Sequence, residues 1–158
     1  MKKFLIIAVM ILTALCAKAQ FFTGIEVGGA VQYTNQHGKS NVGADIRATK
    51  RINEWSRVRV LADVNGFVPN GFDRYGTVKV GATADVQPLY LFADYGLSGN
   101  PSARQRIGMA FDVGLGLQVA LTSRWQLFTE LSIDRINSGK LWQSTPAVKA
   151  GVMYSVTP

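Results

Sequence analysis

The residues of this chain that can do chemistry fall into two sets. The first is small: His37, the only histidine, with Ser40 and Asn41 close behind it. A serine activated by a histidine is the heart of acyl-transfer and hydrolytic catalysis, and the histidine must itself be oriented by a third group. The sequence offers no His-x-Ser pair and no acid beside His37, which favours a solvated loop histidine over a general base. The second set is Glu26, Asp45, Arg47, Arg57, Arg59, Asp63, Lys79, Asp85, Asp94, Asp112, Glu130, Asp134 and Lys149. Eight acids and five bases on one face can form a proton or cation path, or pair with each other and fill the space between them. Unpaired buried charge is very costly, so pairing is the expected outcome. One histidine and one cysteine, Cys16, give no basis for a transition-metal site, and no cofactor is expected.

The elements that must position these residues are strands. From Ile107 to Leu121, large apolar side chains (Ile107, Met109, Phe111, Val113, Leu115, Leu117, Val119 and Leu121) alternate with Gly108, Ala110, Asp112, Gly114, Gly116, Gln118 and Ala120. Strand side chains point to opposite faces in turn, and no helix keeps a period of two over such a run. The same rhythm recurs seven more times. It sets Ile25, Val27, Val31 and Tyr33 against Glu26, Gly28, Ala30 and Gln32, and Val42, Ala44, Ile46 and Ala48 against Asn41, Gly43, Asp45 and Arg47. Val58 to Val64 alternate with Arg57, Arg59, Asp63 and Asn65, with Leu61 as an exception. Val78 to Val86 alternate with Lys79, Gly81, Thr83 and Asp85, and Leu89 to Leu97 with Tyr90, Phe92, Asp94 and Gly96. Trp125, Leu127, Leu131 and Ile133 oppose Gln126, Glu130, Ser132 and Asp134, with Phe128 and Thr129 out of phase. Val148 to Val156 oppose Lys149, Gly151, Met153 and Ser155. Eight such segments, each about 9–11 residues long, suit tilted strands that cross a bilayer.

Connections after the even segments look short: Asn53-Glu54, Gln87-Pro88 and Thr122-Ser123-Arg124. Those after the odd segments look longer, through Asn35 to Lys39, Pro69 to Asp73, Gly99 to Ser102 and Asn137 to Trp142. Lys39, Arg74, Arg104, Arg106 and Lys140, with Phe72, Tyr75 and Trp142, are assigned to these long loops. Short turns on one side and long loops on the other fit an outer-membrane barrel with both termini in the periplasm.

Alternation alone leaves open which face is inside, and a soluble carrier of an apolar ligand would turn the apolar face inward. Three features favour an apolar outside. The polar face is rich in glycine (Gly24, Gly28, Gly43, Gly81, Gly108, Gly114 and Gly116), as a narrow lumen requires. The apolar face carries charge only near strand ends, at Lys50 and Arg135, whereas a charge at the bilayer midplane costs about 2–4 kcal/mol. Tyr33, Trp125 and Tyr154 lie on that face near strand ends, where aromatic residues meet lipid headgroups.

The chain opens Met1-Lys2-Lys3, runs through an apolar stretch from Phe4 to Leu15, and continues Cys16-Ala17-Lys18-Ala19-Gln20. A basic start, a short apolar run and an Ala-x-Ala ending make a secretory signal peptide, expected to be cleaved after Ala19. Residues 1–19 are thus read as signal and 20–158 as one domain. Without Lys2, Lys3 and Lys18 the 17 basic residues become 14 against 10 acidic ones, and the formal charge falls from +7 to +4. No basic tract with interleaved aromatics remains, so nucleic acid is not an expected partner.

The eight-segment pattern resembles the small eight-stranded outer-membrane barrels, the OmpA transmembrane-domain and OmpX-like family, and within it the compact outer membrane β-barrel proteins with a Lys-Ala-Gln-type signal cleavage site. Lys149-x-Gly151-x-x-Tyr154-x-Val156 is similar to the assembly signal that barrel-insertion machinery reads on the last strand, in a sequence that ends Thr157-Pro158 where family members often carry an aromatic residue. The resemblance implies an all-β fold: an eight-stranded antiparallel up-and-down transmembrane barrel, in the bacterial outer membrane after export through the periplasm. It implies contact with outer-membrane lipid and lipopolysaccharide, with the insertion machinery, and with an extracellular ligand of the long loops. Some barrels of this kind modify lipids through histidine with serine or acidic partners, a pattern that His37 does not complete. The expected role is structural or interactive; a lipid-modifying enzyme, a soluble apolar-ligand carrier and a small channel are the competing readings.

Overall fold

A computed structural model describes residues 24–36, 39–66, 75–99, 107–137 and 142–156. The signal segment and His37 lie outside them. Every regular element among the described residues is a strand: β1 (Ile25–Gln36), β2 (Lys39–Asn53), β3 (Ser56–Asn65), β4 (Tyr75–Val86), β5 (Leu89–Gly99), β6 (Gly108–Ala120), β7 (Trp125–Asn137) and β8 (Trp142–Ser155). Each strand pairs antiparallel with its sequence neighbours, and β1 closes on β8 from Glu26 opposite Ser155 to Thr34 opposite Ala147. The result is a closed eight-stranded, up-and-down barrel. Closure leaves no strand edge along the wall, the condition for putting a sheet into hydrocarbon.

The period of two decides what faces where. The small and polar residues of each strand are buried inside, while Val31, Ile46, Val80, Leu91, Leu115, Leu131, Ile133 and Val152 stand exposed on the outside. Leu61 and Phe128, which break the alternation in sequence, are buried in the lumen at 1% and 3% exposure. A soluble carrier with an apolar interior is therefore excluded by the direction of the side chains. The outer surface is a continuous apolar belt that water would not tolerate and lipid would. Lys50 lies three residues from the end of β2, and Arg135 two from the end of β7, where its Nε donates to Ser144 Oγ at 3.1 Å.

The connections correct part of the loop reading. Between β1 and β2 the intervening chain is only residues 37–38, because Asn35 pairs with Ser40 and Gln36 with Lys39. Backbone pairing is indifferent to side-chain polarity, so the polar run that reads as a loop continues the ladder. This connection is as short as Glu54–Trp55 or Gln87–Pro88 at the other end of the barrel. Lys39, Tyr75 and Trp142 are likewise the first residues of β2, β4 and β8 rather than loop residues. Phe72, Arg74, Arg104, Arg106 and Lys140 lie outside the described residues. The end bearing Glu54–Trp55, Gln87–Pro88 and 121–124 is hereafter the turn side, and the opposite end the loop side.

Candidate functional site

The lumen is where chemistry-bearing side chains converge. All thirteen ionisable residues of the alternating face are buried there. The strand register sorts them into three tiers.

On the turn side, Arg57 Nη2 donates to Asp85 Oδ1 at 2.8 Å, and its Nη1 to Glu26 Oε2 at 3.3 Å and to Gln118 Oε1 at 2.5 Å. Thr49 Oγ1 and Gln126 Nε2 complete the shell of Glu26, at 3.1 and 3.2 Å. In the middle tier one carboxylate oxygen gathers three donors. Glu130 Oε1 accepts from Arg47 Nη1 and Arg59 Nη1, both at 2.6 Å, and from the Tyr90 hydroxyl at 2.8 Å. Arg47 uses its Nε and Nη2 on Asp45 at 2.9 and 2.6 Å, and Arg59 its Nε and Nη2 on Asp94, the first at 2.7 Å. Those are two-point guanidinium–carboxylate pairs, the strongest common form of charged hydrogen bond. Glu130 thus ties together the pairs Arg47 with Asp45 and Arg59 with Asp94, drawing β2, β3, β5 and β7 across the lumen.

The loop-side tier uses lysine. Lys79 Nζ lies 2.8 Å from Asp63 and donates to Asp112, while Lys149 Nζ reaches Asp112 Oδ2 at 3.5 Å. Thr77 Oγ1 donates to Asp63 at 2.6 Å. Asp134 accepts from Gln32 Nε2 at 2.8 Å and from Ser132 Oγ at 2.6 Å.

Inner aromatic rings, which the charge pattern alone does not reveal, support the arginines. The Arg59 guanidinium lies 4.1 Å from the centre of the Phe92 ring, that of Arg47 4.2 Å from Phe128, and that of Arg57 5.2 Å from Tyr90. Behind two of these rings is a glycine on the next strand. Tyr90 pairs with Gly116 and Phe92 with Gly114. A Cβ at Gly116 would lie 2.2 Å from the Tyr90 ring, and one at Gly114 2.7 Å from that of Phe92. Glycine, aromatic ring, guanidinium and carboxylate are stacked from the wall inward. The alternating inner glycines were the available sequence signal, but the ring each one faces depends on strand register.

A cavity of about 20 Å³ is bordered by Arg47, Arg57, Arg59, Tyr90, Gln118 and Glu130, room for about one water. Among the described residues no group of three His, Cys, Asp or Glu side chains could hold a metal ion.

The last strand joins lumen to rim. Lys149 belongs to the loop-side tier; Gly151 sits opposite Phe128 and Ala30, and a Cβ there would come within 2.2 Å of the Gly29 carbonyl oxygen. Tyr154 faces out, its ring 5.0 Å from that of Trp125 and its hydroxyl 3.1 Å from Arg124 Nη1. The Val156 amide donates to Ile25 O at 2.9 Å.

A closed eight-stranded barrel with an apolar exterior and a charged interior has the fold of the transmembrane β-barrels of bacterial outer membranes. Solved structures of that class are similar to this chain. Neisserial surface protein A matches at 19% identity with a TM-score of 0.62, over 84% of this chain and 97% of that one. The N-terminal β-barrel domain of Pseudomonas aeruginosa OprF matches at 13% identity and TM-score 0.54, over 82% and 95%. Ail, the attachment invasion locus protein of Yersinia pestis, matches at 16% identity and TM-score 0.52, over 82% and 95%, and has also been solved with the heparin analogue sucrose octasulfate. A de novo designed transmembrane β-barrel is similar too, at 19% identity and TM-score 0.54, so the fold by itself carries no biological task. No protein-family model and no curated protein matches the sequence.

Proposed function

We propose that this chain is an integral outer-membrane barrel with a structural or surface-interaction role, neither catalytic nor conducting. One observation carries the reading: the Arg47–Glu130–Arg59 bridge spans the lumen, inside a wall that is apolar outside. Side chains paired across the bore support a lumen without an open path.

The interactive part of the role belongs to the loop side. Arg74, Arg104, Arg106 and Lys140, with Lys39 at the start of β2, give cationic groups suited to the anionic sugars and phosphates of lipopolysaccharide or of an extracellular ligand. The complex of Ail with sucrose octasulfate supports that chemistry as one available to the fold. Export with cleavage after Ala19, and insertion through the signal Lys149, Gly151, Tyr154 and Val156, complete the proposal.

The test is membrane fractionation of the expressed full-length chain, with unboiled and boiled electrophoretic samples compared, followed by planar-bilayer recording. Recovery in the outer membrane, a boiling-dependent mobility shift and no discrete conductance are expected. Steady conductance steps would overturn the closed lumen, and a lipid-modifying activity lost in His37→Ala would overturn the non-catalytic role.

A further inference from the structure

Seven of the eight lumen carboxylates make an ion pair; among the described residues Asp134 does not. It is 2% exposed, and its hydrogen-bond donors, Gln32 and Ser132, are neutral. Its cross-strand partner on β6 is another carboxylate, Asp112, and on β8 it faces Thr145. The surrounding charges do not balance. Among the described residues, Asp63, Asp112 and Asp134 share only Lys79 and Lys149, and Asp112 is the carboxylate that both lysines reach. Tyr75, at the head of β4, adds no positive charge. The tier therefore holds one negative charge too many, in a place where unpaired charge is very costly.

A second, independent feature lies beside it. Gln32 and Asp112 are both 0% exposed, and among the described residues Gln32 Oε1 and Asp112 Oδ1 have no hydrogen-bond donor. Gln32 spends its amide nitrogen on Asp134, so its orphan oxygen is held at the same place. Buried oxygens next to a surplus carboxylate are the donor set of a hard cation. We propose that Asp134 anchors a site for one monovalent alkali cation, with Gln32 Oε1 and Asp112 Oδ1 as neighbouring ligands. A single positive charge matches the surplus of one, and a divalent ion would overshoot it beside two ammonium groups. The site goes beyond the closed-lumen reading, which leaves this carboxylate unmatched.

Thermal unfolding of the full-length barrel in detergent, followed by loss of the unboiled mobility form, tests this at fixed ionic strength in sodium, potassium and N-methylglucamine chlorides. Sodium or potassium should raise the unfolding temperature saturably, by roughly several degrees, over N-methylglucamine. Asp134→Asn keeps the side-chain shape, removes the surplus charge and should abolish the salt response. Gln32→Met keeps the charge and should shift the half-saturating cation concentration upward. Identical melting in all three salts would overturn the site and leave a proton as the balancing charge. A full response surviving in Asp134→Asn would place the ion elsewhere. An unchanged half-saturation in Gln32→Met would count against the site even if the aspartate variant did not fold.

Discussion

The arginine tiers of the lumen and the lysine tier face the same problem and solve it differently. Each tier has one more acid than base: Glu26 and Asp85 against Arg57, Asp45, Asp94 and Glu130 against Arg47 and Arg59, Asp63, Asp112 and Asp134 against Lys79 and Lys149. Where the cation is arginine, every carboxylate is touched by a guanidinium. A planar fork with five donors can bind one carboxylate through two nitrogens and still reach another, and its flat face can rest on an aromatic ring. Lysine brings a point charge with three donors and no face to stack. On the loop side one carboxylate is consequently left to neutral donors, and among the described residues Gln32, Asn41, Asn65 and Asp112 keep polar atoms without hydrogen-bond partners, against Arg57 Nε and Glu130 Oε2 in the arginine tiers. The arginine tiers are thus the rigid, over-determined part of the barrel, and the lysine tier the part with coordination to spare.

The strongest way to break this contrast is to remove the shared acceptor of the arginine tiers. Glu130→Ala leaves Arg47 and Arg59 each short of a buried partner, and stripping one member from a buried charged network costs about 3–5 kcal/mol. Urea unfolding of the barrel in detergent should show that loss. Gln32→Met, which removes one neutral donor from the loop-side tier, should cost clearly less. Equal losses would mean that the tiers do not differ in the way the contacts imply.

Arg59→Lys sharpens the comparison by turning one side of it into the other. The charge stays, but the two-point hold on Asp94 and the stack on Phe92 go. Charge-assisted hydrogen bonds contribute about 1.5–3 kcal/mol each, so the variant should lose about that much stability, measured by the same urea titration. A neutral outcome would show that charge alone, not fork geometry, holds the middle tier.

The wall behind the rings is the next point of attack. Gly116→Ala places a methyl group 2.2 Å from the Tyr90 ring, a contact with no slack because the ring is pinned by its hydroxyl on Glu130. Overpacking of this kind costs about 1–3 kcal/mol. Adding Tyr90→Ser should return part of the loss caused by the alanine, and a double-mutant cycle in urea would measure it.

How much of this could be read beforehand follows from what a period of two contains. Alternation fixes which side chains share a face, so Arg59, Asp94 and Glu130 are recognisable as lumen residues without coordinates. It says nothing of which carboxylate meets which cation, because that depends on register between strands far apart in sequence. Arg47 and Glu130 are 83 positions apart, and Gln32 and Asp134 are 102. Phe92 and Phe128 read as exceptions or filler until register sets one against Gly114 and the other against Gly151. The polar stretch Asn35 to Ser40 misleads in the opposite direction. Its composition is that of a loop, yet Asn35 and Gln36 keep the ladder with Ser40 and Lys39, and Tyr33 OH lies 2.6 Å from Ser40 Oγ across the hairpin.

The smallest effect separates stacking from hydrogen bonding within the arginine tiers. Phe92→Leu keeps an apolar side chain between Gly114 and Arg59 but removes the ring face, and a cation over an aromatic face contributes about 0.5–2 kcal/mol. Alone, the variant should lose an amount in that range. Combined with Arg59→Lys it should lose less than the two single changes together, because the stack can be removed only once. Paired instead with Lys79→Met, whose contacts to Asp63 and Asp112 lie in the other tier, the losses should add. Coupling in the first pair and additivity in the second would show that each guanidinium and its ring act as one unit. Additivity in both would reduce the rings to packing and leave the hydrogen-bond forks as the whole of the difference between the tiers.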